Sequence, residues 1–140
     1  QPLPDGSIAF TTHPGQLYLV RPQTAGPAKV IPMGWMHPRG PAYIGSMFRD
    51  ATGRYLMSVA RNGSTRPYEW VTYDLKTRSA TTAPFDVHDP VGLLLERDSL
   101  YGSAVVDDAG NCYVVGRHYV GRGRGYRPIV LKVTPRKTGK

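Results

Sequence analysis

Four arginines, Arg117, Arg122, Arg124 and Arg127, fall within one glycine-rich stretch that also carries Tyr119 and Tyr126. A sparser set, Arg61 and Arg66, flanks the segment RNGSTRP, and Arg39 lies in the segment MGWMHPRGP. A guanidinium is a planar fork of donors that matches carboxylate, sulfate or phosphate, and a tyrosine ring can stack on a sugar or a base. Residue type therefore points first to an anionic ligand; the plainer reading is a solvated, glycine-rich loop. Histidines offer a second chemistry. His37 precedes Pro38, His88 precedes Asp89 and Pro90, and with His118 they could hold a divalent metal or act as acid and base. No ligand spacing ties the three together, and a histidine beside proline is more often a surface or packing residue. Trp35, next to Met36 and His37, could line a sugar platform, with packing as its plainer role. Trp70 reads as core, His13 as a turn residue, and Asp50, Asp107 and Asp108 as turn-formers. Paired glycosidase carboxylates, a Gly-x-Ser-x-Gly elbow and a phosphate-cradling glycine loop are not evident, and no cofactor or metal is expected.

Charge places these residues in context. Lysine and arginine number 18 against 10 acidic residues, a net charge of +8. The excess sits at the two ends: residues 1–49 hold four basic and one acidic residue, residues 50–108 six and nine, and residues 109–140 eight and none. This favours an anionic ligand or a neighbouring acidic surface. The run GRGRGYRP resembles the RGG-type segments of RNA-binding proteins. It is, however, one short copy bounded by strands, so nucleic acid is disfavoured as a partner.

The elements that must position these groups are strands. Glycine (16) and proline (13) are abundant, tyrosine is frequent, and helix-forming runs are nearly absent. The length suits one domain with a modest core, expected over residues 1–140. No apolar stretch approaches a membrane span and no basic-then-apolar leader opens the chain. The single Cys112 cannot form an internal disulfide and reads as a small buried hydrophobe.

Two stretches repeat. At an offset of 57, Gly45 meets Gly102, Ser46 meets Ser103, Asp50 meets Asp107 and Gly53 meets Gly110. An extra residue in the second long loop moves the offset to 58, after which Tyr68 meets Tyr126, Val71 meets Ile129 and Leu75 meets Val133. The unit reads as strands 43–49, 54–60, 69–75 and 79–85, then again as 99–106, 111–117 and 128–134. Strands 7–12, 16–20 and 28–32 precede them. Asp and Gly in DATG and DDAG suit tight reversals that need positive φ.

Here the residues resemble known repeats. DDAGNCYVVGR…PIVLKV is similar to the bacterial β-propeller repeat built on Asp-x-x-Gly-Asn-x-Tyr-Val, and IAFTTHPGQLYLVRP looks like the TolB-type propeller repeat. RPQTAG stands where the TolB type has Asp-Gly-Gly. The resemblance implies an all-β partial propeller of about two and a half four-stranded antiparallel blades. They comprise a partial blade over 5–33, a blade over 42–86 and a partial blade over 98–135. Such a segment must be completed by other chain segments or by copies of itself; a small sandwich or open barrel is the alternative. Blade topology would gather the long loops, with Trp35, His37, Arg39, Arg61, Arg66, His88, His118, Tyr119, Arg122, Arg124 and Tyr126, on one face. The expected function is a non-catalytic binding or assembly module for an anionic or carbohydrate ligand or a protein partner. The alternative is part of a propeller lyase or hydrolase acting on acidic polysaccharide. A periplasmic or secreted location is implied only by the resemblance.

Overall fold

The computed structural model describes residues 1–61, 68–84, 100, 104–121 and 123–133. Among them the chain is all-β, with antiparallel sheets and no helix. It divides into two compact units, Gln1–Phe85 and Asp86–Lys140.

The first unit holds two sheets. Strands β1 (Ile8–Thr11), β2 (Gln16–Arg21) and β3 (Lys29–Trp35) form a three-stranded meander. Its alternation is legible in QLYLVR, where Leu17 and Leu19 point inward while Tyr18 and Val20 point outward. The second sheet runs from β4 (Tyr43–Ile44) and β5 (Phe48–Arg49), both paired to β6 (Tyr55–Arg61), through β7 (Glu69–Asp74) to β8 (Ser79–Pro84). The single strand expected over 43–49 is thus two short pieces. Between them the Gly45 amide donates to the Val59 carbonyl at 2.8 Å, and the Ser58 hydroxyl donates to Gly45 at 3.2 Å.

The core of this unit is one cluster with members from both sheets. Ala9, Leu17, Leu19 and Met33 come from the first, and Leu56, Ala60, Val71 and Tyr73 from the second. A β-bulge in β3 ties the two together. Leu17 pairs with Gly34 but Tyr18 pairs with Pro32, so Met33 has no cross-strand partner. A buried backbone carbonyl needs a donor. The buried Tyr73 hydroxyl supplies it, donating to the Met33 carbonyl at 2.5 Å from the facing sheet. Close backbone approach adds a second tie. Gly15 has φ +90°, and a Cβ there would lie 2.4 Å from the Ala42 carbonyl oxygen. The Met36 amide donates to Gly15 and the Ala42 amide to Pro14, each at 3.0 Å.

The second unit is a three-stranded meander of β9 (Ala104–Val106), β10 (Cys112–Tyr119) and β11 (Tyr126–Val133), with β11 at one edge. Pro128 is tolerated there because an edge strand need not donate on both sides. Both repeated turns close as their sequence suggests. Gly53 and Gly110 have positive φ, and Asp50 and Asp107 each accept amide bonds across the reversal. The two hairpins share one register. Leu56 faces Tyr73 as Val114 faces Leu131, and Ala60 faces Glu69 as His118 faces Arg127. An offset of 58 therefore holds from the start of β6, with Tyr55 matching Tyr113. The extra residue sits beside the Asp–Gly turn and not in the long loop, since residues 62–67 and 120–125 are equal spans.

Candidate functional site

Strand pairing decides which of the candidate residues meet. In an antiparallel hairpin, alternate residues share a face and directly opposed residues share it too. On β10 this places Arg117 and Tyr119 on the face opposite His118. Arg117 lies over the Tyr126 ring at 4.0 Å from its centroid, and Tyr119 meets Tyr126 at 5.3 Å in a tilted pair. The equivalent end of the first hairpin repeats the chemistry, with Arg61 over the Tyr68 ring at 5.7 Å. A guanidinium over a tyrosine face is held by the electron-rich ring, which fixes its plane.

His118, Tyr119 and Tyr126 belong to strands, where the sequence suggested a longer loop. The pairing continues to Tyr119–Tyr126, and only residues 120–125 bridge it. The glycine–arginine alternation has a backbone cause. Gly121, Gly123 and Gly125 all have positive φ, which a side chain would oppose. The Val120 amide donates to the Gly125 carbonyl at 3.1 Å and the Arg124 amide to Gly121 at 3.2 Å. Glycine makes the turn, and the exposed Arg124 rides on it. His118 is buried with Cys112, Val114 and Gly116 on the other side of the sheet. Burial pushes the Cys112 thiol up to about 11. Arg66, His88 and Arg122 lie outside the described residues.

The link between β3 and β4 holds a different arrangement. His37 is 1% exposed. Its Nδ1 accepts the Arg39 amide at 3.2 Å, and its Nε2 lies 3.1 Å from the Glu69 carboxylate. An accepting Nδ1 puts the proton on Nε2, so the ring is the Nε2–H tautomer donating to Glu69. The Arg39 guanidinium reaches the same carboxylate oxygen. The Arg39 bond and the His37 contact hold the Glu69 carboxyl below its ordinary range. Both nitrogens of His37 are thereby engaged in clasping the link to the first residue of β7. Trp35, which the sequence placed in this link, ends β3 opposite Gln16 because the bulge lengthens the strand by one residue.

Glu69 escaped the sequence reading. No spacing connects positions 37 and 69; only the packing of the link against β7 brings them together. A second ion pair was equally hidden: Arg54 embraces Asp74 with a closest approach of 2.6 Å and holds that carboxyl well below the usual range. Among the described residues no three His, Cys, Asp or Glu side chains are grouped as metal ligands would be. No helix there is long and apolar enough to cross a membrane. No protein family, curated protein or solved structure matches the chain.

Proposed function

We propose that the chain is a segment of a propeller-like repeat protein that serves as a binding and assembly module, taking an acidic glycan at its hairpin ends. The observation that carries this reading is the recurrence of one device. At the same end of two hairpins that share a register, an arginine lies over a tyrosine. A uronate or sulfated sugar offers an anionic group for the guanidinium and an apolar ring face for the tyrosine. Consecutive meanders and an internal repeat support the propeller part of the reading. The uninterrupted excess of basic residues over 109–140 supports the anionic part.

The test is calorimetric titration with an oligogalacturonate, using a neutral gluco-oligosaccharide of equal length as control. Binding should be selective for the acidic sugar and weaken with salt. Arg117→Ala and Arg61→Ala should each weaken it about tenfold, the loss of one charge-assisted contact. Equal binding of the neutral sugar, or unchanged affinity in both variants, would overturn the assignment.

A further inference from the structure

The face of the third sheet that carries Tyr119 and Tyr126 continues down the hairpin. Alternation places three further cross-strand rows on it: Arg117 opposite Pro128, Val115 opposite Val130, and Tyr113 opposite Lys132. Val115, Val130 and Lys132 are exposed. In the last row the device of the hairpin end recurs, with the Lys132 ammonium 5.8 Å from the Tyr113 ring centroid. The Tyr113 hydroxyl donates to Asp107 at 3.1 Å, which anchors the ring. The Asp107 carboxylate also accepts the backbone amides of Ala109 and Asn111 and the Asn111 side-chain amide, so donors of its own turn surround it. The hairpin therefore carries a cation over a tyrosine at both ends of one face, with apolar side chains between them.

We propose that this face is one continuous track for an extended acidic oligosaccharide, with Lys132 and Tyr113 as a second station at the end away from Arg117 and Tyr126. The inference rests on the acidic-glycan reading above and adds where the sugar chain lies and how long it must be. Tyr113 and Tyr119 are six residues apart on β10. At the rise of a strand that is about 20 Å, the length of about four linked pyranose rings. A uronate chain laid along the strands meets a cation at each end and sets its C–H faces on Val115, Pro128 and Val130. Charge favours this occupant, because no acidic residue of β9–β11 lies on the face.

The first hairpin lacks the second station. Tyr55 matches Tyr113, but Asp74 stands where Lys132 does and is paired with Arg54. A carboxylate there opposes the ligand that a lysine attracts, so the track belongs to the second hairpin alone.

Calorimetric titration with a galacturonate disaccharide and hexasaccharide tests this. The hexasaccharide should bind the wild-type chain about fiftyfold more tightly, about tenfold from the second station and the remainder from the extra registers of a longer chain. Lys132→Gln keeps the side-chain stem and should lower hexasaccharide affinity about tenfold. Lys132→Arg should retain it, and Lys29→Gln, the same loss of charge placed on β3, should leave it unchanged. Circular dichroism reports the folding of each variant. A length gain of no more than about fivefold would overturn the track while leaving the acidic-glycan reading in place. So would a Lys132→Gln chain that binds as well as the Lys29→Gln chain. Failure of both acidic sugars to bind would remove the two readings together. Tighter binding of a deoxythymidine oligomer of matched length would give the face to single-stranded nucleic acid and overturn the proposal.

Discussion

Among the described residues no buried side-chain nitrogen or oxygen is left without a hydrogen-bond partner. Tyr73 is the clearest case, since its hydroxyl donates to the Met33 carbonyl at the β3 bulge. Tyr73→Phe keeps the ring but removes that bond, and should cost about 1–3 kcal/mol in equilibrium denaturation. Burial also pushes the Tyr73 phenol up, so the hydroxyl stays a donor through the neutral range. Cys112 makes a complementary prediction. With its thiol buried and raised to about 11, it should react with a thiol reagent only after unfolding. Rapid labelling of the folded chain would contradict that placement. The sign of its pH effect is fixed as well. A raised folded value means the contribution is complete below the unfolded value and declines as pH rises through the folded one.

Turns and strands separate the repeat into what is shared and what is not. Gly53 and Gly110 occupy the same reversal, both with positive φ, yet their surroundings differ. A Cβ at Gly53 would lie 2.3 Å from Pro4 Cδ, whereas at Gly110 it meets nothing within 4 Å. Gly110→Ala should therefore cost only the left-handed penalty of about 1–2 kcal/mol. Gly53→Ala should cost more, because Pro4 must move as well; thermal melting of the two variants ranks them. Composition, alternation and turn residues made the strands and this repeat legible in the sequence, since they act over a few residues. The splitting of 43–49, the extra residue beside the second turn and the extension of β10 to Tyr119 were not legible. Each depends on cross-strand hydrogen bonds between distant positions. The same limit hid Glu69. A carboxylate that opens a strand has no local mark distinguishing it from a solvated one, and only the fold carries it to His37 and Arg39.

For the chain as a whole, acid should be the vulnerable direction. Asp5 is lowered by its Ser7 bonds, Glu69 by Arg39, Asp74 by Arg54 and Asp107 by Asn111. A depressed folded value contributes stability above the unfolded value and loses it as pH falls through the folded one. Denaturation midpoints should thus hold steady between the ordinary carboxylate and thiol ranges and drop progressively below about pH 4. A midpoint that rises on acidification would contradict these assignments. The net charge of +8 compounds the effect, because each protonated carboxylate adds to an existing positive excess.

The extra residue in β3 has a further effect on how the strand must be read. Strict alternation from the inward Ile31 and Met33 would send Trp35 inside and Met36 out. Instead the buried Met33 is bulged out of the pairing, the exposed Gly34 takes the place opposite Leu17, and the phase reverses behind them. Trp35 is turned toward water and Met36 is fully enclosed. Excising Met33 alone would leave Gly34 opposite Leu17 and Trp35 opposite Gln16, so the strand would keep its phase. The damage would be a local hollow and a tyrosine hydroxyl deprived of its acceptor, not a sheet turned inside out.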